Sequence, residues 1–440
     1  MEIISQVAEA MQEILTEKSD AMGRETGFIV RERKLSGSGY AQTLVFGWLS
    51  DPESTLEDLS QMAKSLGIEI SSQGLDKRFS RESSEFMEQL LSLGIEQMII
   101  SDAVACSLMQ RFNGVYIHDS STIILPDELK EIWRGCGGSS CENTSSSVKI
   151  QLQLELTKGR LIGPELQDGR EQDKSCSLYK EPLPRGSLCI RDLGYFSIEN
   201  LKELDSKKVY WLSRMKSQVK IYWEGKCCSL ADFLKDRVGD EIDIQLLIGV
   251  KEQLPCRLLA FPVPEKVANE RRRRIKKEAK RKGKMPTKNI LYLAGFTILA
   301  TNAPVELLNL NESLVLMRAR WQIEVLFKLW KKYGCIDKSR SEKPWRILTE
   351  VYSKLIAMII QHWIFLTSCW KYSDRSLMKA SKTVRKQVVL IAIAFALGSI
   401  DRLIEAIETI QRCLAKGCRI NKRKTNPHTY QLLDGALSFP

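Results

Sequence analysis

Histidine is nearly missing from this chain: three residues in 440. That scarcity argues against a zinc hydrolase, and no convincing Ser-His-Asp set is present for a serine hydrolase. A Walker-type phosphate loop and a dinucleotide-binding glycine pattern are absent as well. The glycine-rich stretch "RGCGGSSCENTSSS" reads as a flexible loop, not as a phosphate cradle. The first twenty residues, "MEIISQVAEAMQEILTEKSD", lack the basic start and apolar centre of a secretory signal and read as an acidic amphipathic helix. The twelve cysteines, scattered from Cys106 to Cys418, are therefore expected to be reduced thiols in a cytoplasmic protein. Two Cys-x4-Cys pairs, Cys136/Cys141 and Cys413/Cys418, are too loosely spaced and too far apart to read as a zinc site. Long hydrophobic runs are lacking too. The nearest, "LIAMIIQHWIFLTSCW" from Leu355 to Trp370, is short for a membrane span and contains Gln361 and His362, so a buried core helix is expected and no membrane partner.

What is present is an ordinary globular composition, 43% hydrophobic and 27% charged, long enough for two or three domains. The net charge is +12, and its distribution is uneven. "ERRRRIKKEAKRKGK", Glu270 to Lys284, holds ten Lys or Arg against two Glu, which is two thirds of the whole excess. A solvated charged helix is the plain reading. The density favours a polyanion, and phosphate backbones are the usual partner.

The texture changes along the chain. Residues 1–105 read as helical. "STLEDLSQMAKSLGIEISSQGLDKRFS" offers a cap at Ser54 or Thr55, a break at Gly67, and a second helix from Ser71 or Ser72 carrying Lys77 and Arg78. That is the pattern of a DNA-reading helix-turn-helix, and equally of many helical hairpins. After Arg111 the chain turns β-rich: "GVYIHDSSTIIL", then "SVKIQLQLELT" alternating as a half-buried strand, then "GRLIGPEL" paired with it through Lys158-Gly159. "SLCIRDLGYFS" is a further strand, followed by a helix "SIENLKEL" and a strand "KVYWLSRM". Residues 217–290 read as a strand-rich insertion ending in the basic helix. "LYLAGFTILATN", Leu291 to Asn302, reads as a buried strand leading into one helix, "RARWQIEVLFKLWKKYG". From 342 onward the chain is helical again.

Three acids stand out. Asp119 and Asp192 each interrupt or end an otherwise apolar strand, where an ionised carboxylate must be paired or must hold a cation. Glu324 lies in the helix with Arg320, Phe327 and Lys331 on its face, beside an apolar stripe of Ala319, Ile323, Leu326 and Trp330. Singly, each is explained by a turn, a cap or Arg-Glu-Lys helix pairing. Three carboxylates at strand ends can also hold two magnesium ions, with manganese as a substitute, for phosphodiester cleavage and transfer.

In these residues the chain resembles the bacterial DDE transposases of the insertion-sequence-four group. Their signature is Tyr, two residues, Arg, three residues, Glu, six residues, Lys; here Met317, Arg320, Glu324 and Lys331 stand at those positions, with Met317 in place of the tyrosine. "HDSST", "DGREQDK", "RDLGYFS", "YWLSRMK", the basic segment and "LATNAP" follow in the family's order. The resemblance implies an α/β fold: an RNase H-like catalytic core (106–216 and 291–341) interrupted by a β-rich insertion (217–290), with helical N-terminal (1–105, DNA-binding) and C-terminal (342–440) regions. It implies Asp119, Asp192 and Glu324 as catalytic metal ligands. Arg320, Lys328, Lys331 and the basic residues Arg271, Arg272, Arg273, Arg274, Lys276 and Lys277 would contact DNA. Cut-and-paste transposition through a hairpin requires a base extruded near the cut and stacked on an aromatic ring. Phe296 is the candidate ring, with a core position as the competing reading. The implied partners are double-stranded DNA with terminal inverted repeats, target DNA, and a second copy of the chain in a synaptic complex, in a bacterial cytoplasm. A transposase-derived protein that binds the repeats but no longer cuts is the other reading, and Met317 is the residue that keeps it open.

Overall fold

The computed structural model describes residues 2–31, 35–136, 145–235, 237, 241–425 and 427–434. Most of the glycine-rich stretch, with Cys141, lies outside them. The chain forms two compact units. One comprises the chain up to Cys106, His118–Lys180 and Gln322–Asp434; the other comprises Ser107–Ile117 and Glu181–Trp321.

The first unit is mainly helical. Helix Glu2–Leu15 buries Ile4, Val7, Ala8, Met11, Ile14 and Leu15, the three-and-four spacing that turns one face to a core. Helix Gly37–Ser50, capped by Ser36, is buried nearly all round and packs on helices Pro344–Leu366 and Leu377–Ala396. Helix Pro344–Leu366 is buried without a break from Ile347 to Leu366, which is the core helix expected of the apolar stretch. Among the described residues no helix is long and apolar enough to cross a membrane. Thr55 and Asp58 form a capping box on helix Leu56–Ser65, and Ser71 caps the next helix. That next helix is only Ser72–Asp76. Lys77 is its C-cap and Arg78 lies beyond it, so neither is carried on the helix as the sequence suggests; two residues later Ser80 already caps helix Arg81–Glu96.

The strands of this unit are the later part of β1 (Val115–Ile124), β2 (Ser147–Glu155) and β3 (Leu161–Asp168), with β2 antiparallel to β3. The alternation in β2 suggested one face in water. Instead both faces are buried, Gln151 and Gln153 included. Most of that face is paired internally: Gln151 bonds His118 and Gln167, and Glu155 accepts the backbone N–H groups of Thr157 and Lys158 at 2.7 and 2.6 Å, while Gln153 Oε1 is buried without a hydrogen-bond partner.

The β2–β3 turn docks on helix Pro344–Leu366. Gly159 has φ +76°, and a Cβ there would lie 2.5 Å from Leu366 and 2.6 Å from Trp370. Gly159→Ala is therefore expected to lower stability by about 2 kcal/mol through overpacking plus a left-handed backbone, measured as a shift in urea midpoint. The Gly159 carbonyl accepts a 2.7 Å hydrogen bond from His362 Nε2, while His362 Nδ1 is buried with no hydrogen-bond partner. Burial drives this imidazole from 6.5 down to about 4. The folded state thus keeps His362 neutral, and the unfolded state takes up the proton first. Its contribution is full above about pH 6.5 and is lost as pH falls towards 4. Native protein should lose about 2 kcal/mol more than His362→Gln between pH 6.5 and 5, measured by denaturation at each pH.

The second unit holds the start of β1 with β4 (Leu188–Arg191), β5 (Tyr210–Arg214), β6 (Lys220–Trp223), β7 (Lys226–Ser229), β8 (Ile242–Ile248), β9 (Leu254–Pro262) and β10 (Phe296–Thr301). Their order is β1-β4-β5-β10-β9-β8-β6-β7. β4 runs parallel to β1 and to β5, with Val115 to Ile117 against Leu188 to Ile190; β10 is antiparallel to β5 and β9. Strands β6 to β9 and helix Glu265–Arg281 fill the stretch expected as an insertion. The expected strand from Leu291 is corrected. Thr287 caps a short helix, Lys288–Leu293, and the strand begins only at Phe296. The stretch from Arg318 to Gly334 is likewise two helices, Leu310–Ala319 and Trp321–Lys332, with Arg320 between them. Arg320 keeps helical angles (φ −50°, ψ −32°), so no breaker residue marks the interruption.

Candidate active site

β1 brings Asp119 to its middle, where the strand passes from a buried run (Val115 to His118) to half-exposed residues. The Asp119 carboxylate accepts the backbone N–H of Ser120 at 2.9 Å. Glu324 sits half-exposed in the first turn of helix Trp321–Lys332, whose stripe of Ile323, Leu326 and Trp330 is buried as the spacing requires. Lys331, on the same helix, donates to the Thr122 carbonyl on β1 at 2.7 Å, and burial lowers its pKa. Its ammonium therefore ties the helix to the strand that carries Asp119. Lys328 is exposed.

In the second unit Asp192 follows β4 and opens a single 3-10 turn, Leu193–Tyr195. Two guanidiniums face it: Arg214 Nε is 3.7 Å from Oδ1 and Arg320 Nη2 is 3.7 Å from Oδ2. Both distances exceed a hydrogen bond. Oδ1 is buried and takes no hydrogen bond. Arg320 is 8% exposed, so its cation is directed to Asp192 and not to open solvent. Met317, one turn earlier, is buried in helix Leu310–Ala319. That helix is held by Arg111, which grips Glu312 with two hydrogen bonds of 3.0 and 2.9 Å.

The basic helix divides its cations. Arg271 donates to the Phe296 carbonyl at 2.8 Å and to Thr297 Oγ1 at 3.1 Å; Arg272 donates to Glu265, Asn269 and the Leu291 carbonyl. These two fasten the helix to its own unit. Arg273, Arg274, Lys276 and Lys277 are exposed. Phe296 is half-exposed, with its ring centre 5.7 Å from that of Tyr292. It lines a pocket of about 590 Å³ together with Leu193, Arg214, Arg271, Arg274 and Ile290. An aromatic wall with an arginine rim thus lies beside the turn that holds Asp192.

Among the described residues, no three His, Cys, Asp or Glu side chains stand close enough together to hold an ion. Among the described residues, the charged groups within 4 Å of the Asp192 carboxylate are the guanidiniums of Arg214 and Arg320. The residues that sequence reading passed over are Arg214, which sits in the quoted "YWLSRMK", and the polar side chains that brace β1: Gln151, Gln167, Glu165 and Asp173. Asp173 lies likewise in "DGREQDK", whereas nothing local in the sequence marks Gln151, Gln167 and Glu165, since their pairing depends on which strands become neighbours.

The transposase DDE domain model matches residues 110–360, a span that includes Asp119, Asp192 and Glu324. The chain is 31% identical over 402 residues to the transposase for insertion sequence element IS231F of Bacillus thuringiensis subsp. israelensis, covering 86% of this chain and 82% of that one. It is 27% identical over 375 residues to the transposase for IS1151 of Clostridium perfringens, covering 79% and 77%. The similarity to the putative transposase InsL for IS186A of Escherichia coli is shorter, 25% over 179 residues.

Proposed function

Because the chain belongs to the DDE transposase family, of the insertion-sequence-four kind, we propose that it moves a DNA element bounded by terminal inverted repeats, with Asp119, Asp192 and Glu324 as its catalytic carboxylates. The observation that carries this assignment is the place of each aspartate in its own element: Asp119 lies mid-strand in β1, where burial gives way to exposure, and Asp192 lies just past the end of β4 with one carboxylate oxygen buried and unsatisfied. The donors suit a hard divalent cation: all are carboxylate oxygens, Asp119 and Glu324 are half-exposed, and Asp192 keeps a buried oxygen that no hydrogen bond satisfies. Two magnesium ions on these residues, or manganese in their place, supply charge neutralisation at phosphate and a more acidic attacking hydroxyl.

The chain's own residues do the rest. Arg214 and Arg320 orient Asp192. Lys331 fixes the helix of Glu324 against β1. Lys328 and the exposed Arg273, Arg274, Lys276 and Lys277 bind phosphates, while Arg271 and Arg272 hold their helix in place. Phe296, in its arginine-rimmed pocket, stacks an extruded base. Water cleaves one strand at the element's end; the new 3′-hydroxyl attacks the opposite strand, and the hairpin is reopened before insertion. Residues 1–105 read the ends, and two copies act together through the helices after 342. The non-cutting alternative is not favoured, because the DDE domain model and transposases similar over most of the chain support the cutting reading.

The test is a labelled duplex carrying the element's terminal repeat, incubated with the protein and magnesium. A nick at the repeat boundary with a 3′-hydroxyl, lost on adding chelator, is expected. DNA that is bound and left uncut under magnesium and manganese alike would overturn the reading in favour of an end-binding protein.

A further inference from the structure

Asp119 is flanked by two residues that point to the opposite face of β1, His118 and Ser120. Both are tied down inside the first unit. Ser120 Oγ donates to Asp173 Oδ1 at 2.9 Å, and the same oxygen is 3.0 Å from Lys149 Nζ. His118, 2% exposed, begins a longer chain of hydrogen bonds. Its Nε2 is 3.1 Å from Gln151 Oε1; Gln151 Nε2 donates to Gln167 Oε1 at 3.2 Å; Gln167 Nε2 donates to Glu165 Oε1 at 2.9 Å. The chain crosses from β1 through β2 to β3, and Gln151 in its middle is fully buried.

Glu165 gives this chain a direction. Its carboxylate accepts the Ser177 backbone N–H at 3.0 Å, the Leu178 N–H at 3.2 Å, and the Ser177 hydroxyl. Backbone N–H groups can only donate. Burial raises the pKa of Glu165, but the Ser177 and Leu178 bonds outweigh it and keep the group below its ordinary value. An ionised carboxylate has no proton to give, so Gln167 must turn its NH2 towards it and its oxygen towards Gln151. Gln151 must then turn its own oxygen to His118. An amide oxygen facing Nε2 requires the proton on Nε2.

We propose that Glu165 is a positioning residue for the strand that bears Asp119, acting through Gln167 and Gln151 to lock the His118 proton on Nε2. A locked imidazole on one face and a bonded Ser120 beside it hold the backbone of β1, and so fix the direction in which Asp119 leaves the opposite face. Outer partners of this kind typically change activity about 10- to 100-fold when removed. The functional half of the proposal rests on the reading of Asp119 as a catalytic carboxylate; the proton assignment does not.

Only three histidines are present, so the imidazole nitrogens of uniformly 15N-labelled protein can be assigned with His362→Gln and His428→Gln. The native protein should show His118 with a protonated Nε2 and a bare Nδ1. Gln167→Met interrupts the chain while leaving the bonds of Glu165 to Ser177 and Leu178 in place. It should average the two His118 nitrogens towards a tautomer mixture and lower the turnover of end cleavage about 10- to 100-fold, with affinity for end DNA nearly unchanged and the thermal midpoint lowered, by the loss of the acceptor of Gln151, but still above the assay temperature. Glu165→Gln, whose amide can face either way, should give the same mixed tautomer. Protonated Nδ1 in the native protein, or native nitrogen shifts and native turnover in Gln167→Met, would overturn the proposal. Failure of the active-site reading is scored separately, by cleavage with Asp119→Asn.

Discussion

Asp119→Asn should bind terminal-repeat DNA as tightly as the native protein and cut it on the order of 10³-fold more slowly. The substitution keeps the size of the side chain and removes its charge. Asparagine Oδ1 can still accept the 2.9 Å hydrogen bond from the Ser120 backbone, so the fold of β1 survives. What is lost is an anionic oxygen ligand, and metal-assisted stabilisation of the reacting phosphate is worth several kcal/mol, each 1.4 kcal/mol being about a factor of ten. Glu324→Gln should fail in the same way, because its half-exposed place in the first helical turn makes it dispensable for packing. Cleavage and gel-shift measurements on one set of preparations separate the two effects. Cutting within tenfold of native by either variant would remove that residue from the site.

The second large effect is on stability. Lys354 is 2% exposed inside helix Pro344–Leu366, and its ammonium is 2.8 Å from Glu350 one turn earlier. It also donates to the carbonyls of Cys335 and Lys338 at 2.9 Å each, and Glu350 accepts from Ser339 Oγ at 2.7 Å. Together these bonds clamp the segment that leaves the helix of Glu324. That segment bends at Cys335, which has φ +46°. Glu350→Ala leaves a buried ammonium with no counter-charge, and removing one member of such a pair costs about 3–5 kcal/mol. Denaturant midpoints should show that loss. Replacing both residues together, Glu350→Leu with Lys354→Met, should recover most of it, because a hydrophobic pair of similar volume avoids the desolvation of both ions. A single-variant loss below about 1 kcal/mol would mean that the pair is wetter than its burial indicates.

The parts that could be read ahead of the structure are those decided by near neighbours. Ile323, Leu326 and Trp330 repeat at helical spacing and are buried; Thr55 and Ser71 cap helices where their positions suggest; Asp192 ends a strand. What escaped depends on contacts between distant segments. Gln151 and Gln153 look like the wet face of β2, and it is the short helix Ser177–Lys180, packed on β2 and β3 with Tyr179 beside His118, that covers it. The break at Arg320 has no proline or glycine to announce it. The spacing places Lys331 on the face of Glu324, but does not announce the bond that one of its three N–H donors makes to the Thr122 carbonyl 209 residues away in the chain. Glu165 shows the same limit: nothing within its own strand links it to His118, 47 positions earlier in the chain.

The central claim, that Asp119, Asp192 and Glu324 hold divalent cations as one set, is tested most directly by counting manganese. Native protein bound to end DNA, titrated with Mn2+ and followed by electron paramagnetic resonance, should take up two ions per protomer at a site that Asp119→Asn, Asp192→Asn and Glu324→Gln each diminish while DNA binding persists. Equal uptake by the native protein and all three variants would contradict it.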